Sequence, residues 1–180
     1  ETLAALFDTA TQMWKDEPFA QFVDGGQRYT YASFREKVLE VHALLQRQGV
    51  GVGDKVAILA ENMPHWTVAF FACVRYSAVA VPLLAGCSAA ELEKILSHSE
   101  AKVLFISKSQ LPKLSDADRA RLAAVIDIED FSLVSASSEA CVPGSEALPE
   151  RNSLATIIYT SGTSGQAKGV MLSHGNLSHS

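Results

Sequence analysis

Residues 159–170 read Tyr159-Thr-Ser-Gly-Thr-Ser-Gly-Gln-Ala-Lys-Gly-Val170, a run of hydroxyls and glycines with one lysine between two apolar stretches. Such a run is suited to holding phosphate. Gly162, Gly165 and Gly169 accept backbone angles closed to other residues, so successive N–H groups can converge on an anion. Thr160, Ser161, Thr163 and Ser164 add hydroxyl donors, and Lys168 adds a compact, mobile positive charge.

Two familiar nucleotide loops fail on spacing. A Walker A loop, G-x-x-x-x-G-K-[ST], started at Gly162 would need glycine at Ala167 and Ser or Thr at Gly169. No G-x-G-x-x-G occurs, which removes the dinucleotide fingerprint. A flexible Ser/Thr/Gly linker is the bland alternative. It sits poorly with the strand-like runs at 154–159 and 170–172 on either side.

On these residues the run resembles the phosphate-binding signature of the AMP-forming adenylating superfamily, Y-T-S-G-T-[TS]-G-x-P-K-G. That superfamily includes the acyl-CoA synthetases, firefly luciferase and the adenylation domains of peptide synthetases. Tyr159, Thr160, Ser161, Gly162, Thr163, Ser164, Gly165, Lys168 and Gly169 match it. Ala167 departs from it, where proline would fix φ ahead of the lysine. Arg28-Tyr-Thr-Tyr31, Gly53-Asp-Lys-Val-Ala57, Glu61-Asn-Met-Pro-His-Trp66 and Ala78-Val-Ala-Val-Pro82 are similar to weaker landmarks of the family, in the family's order.

The resemblance implies that Thr160, Ser161, Gly162, Thr163, Ser164, Gly165 and Lys168 bind the β- and γ-phosphates of ATP, with Lys168 acting as a charge and not as a base. It implies Mg²⁺ as companion ion and CoA as co-substrate, with adenine, ribose, Mg²⁺ and catalytic-lysine contacts supplied by later sequence. Residues 1–180 then read as an N-terminal part of the adenylating domain, truncated just after the phosphate loop. Residues 72–82 and 97–105 look most like bacterial fatty-acid CoA ligases, implying a medium- or long-chain fatty acid as substrate. Amino- or aryl-acid adenylation and a non-catalytic nucleotide-binding module are the alternatives.

Periodicity supplies the elements that must position this loop. Helices are expected over 3–14, from Thr30 to Gly49, from Pro64, from the capping box Ser88-Ala-Ala-Glu91, and over 116–123. Strands are expected at 56–59, 79–83, 102–106 and 125–128, after a hairpin turned at Asp24-Gly25-Gly26. Strands separated by helices of this length imply right-handed crossovers and a parallel sheet covered by helices on both faces. The class is α/β, as part of the large N-terminal domain of an acyl-CoA synthetase-like fold. Residues 132–152, rich in Ser and Pro, read as a surface loop.

The remaining chemistry is sparse. With 180 residues, 48% of them hydrophobic, the chain can bury one sizeable core. A net charge of −5 gives no basic footprint for nucleic acid. The most apolar run, 66–82, is interrupted by Arg75 and ended by Pro82, too short to span a bilayer. Cys73, Cys87 and Cys141 form no C-x-x-C pair, which fits reduced thiols in the cytoplasm. No His/Cys/Asp cluster has metal spacing.

His174 reads as a turn residue before a helix capped by Asn176, with approach to a phosphate as the alternative. His65 and His98 read as surface residues or helix-dipole partners near helix ends, Asp127, Glu129 and Asp130 as a solvated strand end, and Phe70 and Phe71 as core. A sheet lacking neighbours would leave an exposed edge, with self-association as its consequence.

Overall fold

The structure, a computed structural model, describes residues 1–137, 142–161 and 167–179. Two sheets organise it. A small antiparallel hairpin pairs β1 (Pro18–Gln21) with β2 (Arg28–Thr30). The main sheet has the order β7-β6-β5-β3-β4-β8-β9, from β3 (Lys55–Leu59), β4 (Val79–Leu83), β5 (Val103–Ile106), β6 (Ala124–Asp127), β7 (Leu133–Ala136), β8 (Leu154–Ser161) and β9 (Ala167–Ser173).

The expected parallel pairing holds from β6 through β5, β3 and β4 to β8. Both outer strands run antiparallel: β7 against β6, and β9 against β8. The sheet is therefore mostly parallel, because short connections can return the chain only antiparallel to the strand just left. Part of the stretch expected as a surface loop forms β7. Its later part, from Val142, has no regular structure but is tied down: Ser77 Oγ donates to Ala147 O at 2.9 Å, and Gly144 N donates to Gln46 O at 3.3 Å. A Cβ on Gly144 would collide with Val50 O, so only glycine permits this crossing.

Helices cover both faces. α1 (Leu3–Met13), α2 (Tyr31–Arg47) and α3 (Pro64–Val74) pack on one side, where Phe34, Val38, Val41, Leu45 and Val68 meet Val56, Ile58 and Phe105 of the sheet. α4 (Ala89–Ser99) packs on the other, where Leu92, Ile95 and Leu96 meet Ala57, Leu59 and Leu104. Period-two alternation therefore sends successive residues of one strand into opposite cores. α5 (Asp116–Arg121) follows β5, and the four-residue α6 (His174–Leu177) follows β9.

The caps follow the sequence. Thr30 and Ser33 form a reciprocal box at the start of α2, and Ser88 and Glu91 do so at α4. Each cap satisfies backbone N–H groups that the helix leaves open, worth about 1 kcal/mol. Cys73 is fully buried, its thiol donating to Ala69 O at 3.1 Å, as a core residue should.

Pro82 shapes the passage from core to loop. Thr156 Oγ1 donates to Ala80 O at 2.8 Å, so the polar backbone edge of Ala80 faces β8. Two residues on, Pro82 presents that same edge without an N–H, and Ala80↔Thr156 is the pairing recorded between β4 and β8. Beyond Thr156 the two strands β8 and β9 continue as a ribbon.

Candidate functional site

The ribbon carries the candidate site to the carboxyl ends of the parallel strands, where open α/β sheets bind ligands. Its register opposes Tyr159 to Gly169, Thr160 to Lys168 and Ser161 to Ala167. Two of the residues expected to hold phosphate, Thr160 and Lys168, are thus directly across from each other and exposed. Ser161 ends β8 beside them. Gly162, Thr163, Ser164 and Gly165 lie outside the described residues.

Lys168 has no ion-pair partner among the described residues. Lys102 pairs with Asp54 at 3.0 Å and Lys108 with Glu129 at 3.3 Å. Among the described residues no carboxylate neutralises the Lys168 ammonium. Gly169 has a different task. A Cβ there would lie 2.8 Å from Ile157 Cγ2 and 3.3 Å from Tyr159 Cζ, so the missing side chain lets those two neighbours close over the strand. Tyr159 in turn places its hydroxyl 2.7 Å from His98 Nδ1, with the rings edge to face at 5.7 Å. Burial raises the phenol above its ordinary value, so it stays protonated.

His174 is not an exposed turn residue. It is fully buried, its backbone N–H donates to Ser153 O at 3.0 Å, and burial lowers its imidazole below the ordinary value. The turn reading holds with one change: Ser173 is the N-cap, and Asn176 answers it three residues on. His65 is no surface residue. Its Nε2 lies 2.8 Å from Tyr29 OH and its Nδ1 2.9 Å from Ile128 O, because the first turn of α3 faces the core. Asp127 is also buried, at 3% exposure, and accepts from Glu129 N at 2.8 Å, so the strand end is not solvated there. Phe70 and Phe71 pack against the core as expected.

A polar knot that matches no sequence motif sits at the carboxyl ends of β3 and β5. Glu61 Oε1 accepts from Ser109 Oγ and from Gln110 Nε2, each at 2.6 Å. These bonds, that of Ser109 foremost, hold the Glu61 carboxyl down at about 2. The only hint was the polar run Ser107-Lys-Ser-Gln110 directly after an apolar strand. Among the described residues no group of three or more His, Cys, Asp or Glu could hold a metal ion.

Among the described residues no helix is long and apolar enough to cross a membrane. The chain is 30% identical over 165 residues to long chain acyl-CoA synthetase 1 of Arabidopsis thaliana, covering 81% of this chain and 25% of that protein. It is also 30% identical to 4-hydroxybutyrate–CoA ligase 2 of Metallosphaera sedula, covering 94% of this chain and 33% of that one. It thus spans a quarter to a third of these two relatives. The crystal structure of ATP-bound MatB from Rhodopseudomonas palustris superposes with a TM-score of 0.77 at 26% identity, over 98% of this chain and 36% of that one. The family model described as AMP-binding enzyme matches residues 7–180, nearly the whole chain, and the protein accordingly belongs to that family.

Proposed function

We propose that this chain supplies the phosphate-binding face of an enzyme that activates a carboxylic acid with ATP. The observation that carries the reading is the pairing of Thr160 with Lys168 at the open end of the sheet, the lysine without an ion-pair partner among the described residues. A carboxylate is too poor an electrophile for a thiol to attack. In the proposed reaction its oxygen attacks the α-phosphorus of ATP, pyrophosphate leaves, and an acyl-adenylate forms. The thiol of CoA then attacks the acyl carbon and AMP departs.

Repulsion between the attacking carboxylate and the polyphosphate is the main barrier, and donors fixed beforehand offset it. Thr160, Ser161, Gly162, Thr163, Ser164 and Gly165 are assigned to the β- and γ-phosphates. Lys168 contributes its charge as pyrophosphate separates. Residues 1–180 are then part of a larger adenylating domain, with adenine, acyl and metal contacts supplied by sequence outside them.

For the acid, a medium- or long-chain fatty acid is proposed, supported by the similarity to the Arabidopsis long chain acyl-CoA synthetase. Buried, unpaired Cys73 and Cys87 support a reducing compartment, the cytoplasm. The test is exchange of radiolabelled pyrophosphate into ATP by the full-length protein. Exchange that depends on a fatty acid is expected. Exchange with only amino, aryl or short hydroxy acids overturns the substrate, and none with any acid leaves a non-catalytic nucleotide-binding module.

A further inference from the structure

We propose that His98 is a positioning residue for the two strands that present the phosphate-binding groups, acting through the hydroxyl of Tyr159. The inference rests on the reading of the ribbon as an ATP phosphate site and adds to it a residue from outside the loop. Three observations carry it.

The first is how the ribbon is joined to the body, by packing of β8 along β4 with little backbone pairing. β8 pairs with β4 at Ala80↔Thr156, and Pro82 offers no N–H to continue the ladder. A two-stranded ribbon is marginally stable alone. The second is what lies beside it. A cavity of about 730 Å³ lies beside the ribbon, bordered by Val79, Leu154 and Met171 and by His98 and Tyr159 themselves, while Ile157 and Tyr159 rest on the core of α4 along one side only.

The third is the link itself. His98 stands in the last turn of α4, a helix fixed by its Ser88–Glu91 box and by Leu92, Ile95 and Leu96 in the core. Its Nδ1 lies 2.7 Å from the Tyr159 hydroxyl, three residues past the last recorded pairing with β4. Tyr159 opposes Gly169 and closes over it, and the next pair along the ribbon is Thr160 with Lys168. A rigid helix therefore sets the position of a tyrosine, and the tyrosine sets the strand pair one step before the anion-binding donors. Loss of the bond lets Thr160 and Lys168 drift together relative to the rest of the nucleotide site.

The test uses the full-length enzyme with His98→Leu, His98→Asn, Tyr159→Phe and the His98→Leu/Tyr159→Phe double variant. Each of Leu and Phe is expected to raise KM for ATP in pyrophosphate exchange by about 3- to 10-fold, the size of one lost hydrogen bond, with kcat changed less. The double variant should be no worse than either single one, since both remove one bond. His98→Asn, which can place a polar side-chain atom where Nδ1 stood, should restore most of the loss.

A second readout needs no turnover: amide exchange over 157–161 and 167–171 should speed up in the Leu and Phe variants, with and without ATP. Unchanged KM and unchanged ribbon exchange overturn the inference. So does a fall of kcat and melting temperature together without rescue by asparagine, which marks a plain packing defect. Failure of the underlying reading shows elsewhere, as an unsubstituted protein that neither exchanges pyrophosphate nor gains protection from ATP, and the inference falls with it.

Discussion

The central strands β3 and β5 and the ribbon β8–β9 belong to one sheet but live in different solvents. Val56, Ala57, Ile58 and Leu59, like Val103, Leu104, Phe105 and Ile106, are wholly buried between two helical layers. On the ribbon, Ile158 is 38% exposed, Val170 46% and Met171 66%. The first region holds the fold together. The second, past Pro82, carries the donors proposed to meet phosphate, and ligand-binding segments come from the less stable part of a protein.

The largest expected effect comes from the core. Phe105→Ala should lower the unfolding free energy by about 3–5 kcal/mol, since it leaves a cavity between Ile126, Phe131 and α3. Met171→Ala should stay within about 0.5 kcal/mol. Urea denaturation compares them, and equal losses would erase the distinction between the two regions.

Next comes Lys168→Ala, a change expected to leave denaturation untouched and to weaken ATP use by about 1.5–3 kcal/mol, one charge-assisted hydrogen bond. Lys168→Arg should recover only part, because a planar fork does not copy a compact ammonium. Adenylation kinetics that do not change in either variant would remove Lys168 from the site.

The smallest effect sharpens the comparison through pH. His42, His65 and His174 are all shifted below the ordinary imidazole value, each chiefly by burial. The unfolded chain therefore takes up protons first, so stability is fully present above pH of about 6.5 and falls as pH drops below it. Glu61, held at about 2 in the fold, acts in a separate window: its contribution is present above its unfolded value and is lost only as pH falls from there towards about 2. Denaturation midpoints at pH 7.5 and 5.5 check this, with a lower value expected at 5.5 and carried by the core and not by ribbon exchange.

Much of this was legible in the sequence, and its limits have physical causes. Caps at Thr30 and Ser88 and the strands around 56–59 and 102–106 announce themselves by local chemistry and periodicity. β7 did not, since an outer strand with the exposure of Leu133 at 47% lacks the apolar run that marks its buried neighbours. His65 and Asp127 were misplaced because the partners that bury them are remote in sequence, Tyr29 and Ile128 for one, Lys108 for the other. The site is legible as composition: the residue types of Thr160 and Lys168 suit an anion, whereas their register across the ribbon follows only from the fold. The His98 to Tyr159 link was not, because nothing local joins residues 61 positions apart.

The span from Ala80 to Thr156, 76 residues, bears on the order of assembly. β3 and β4 meet after one short helical crossover, Val56 beside Ala80, whereas β8 must close a loop about three times longer, at an added entropy of about 1 kcal/mol. Chains gain their near contacts sooner than their far ones. The α/β body is therefore expected to form as a template on which the ribbon docks afterwards, so that folding completes the proposed anion-binding end last and partial unfolding opens it first.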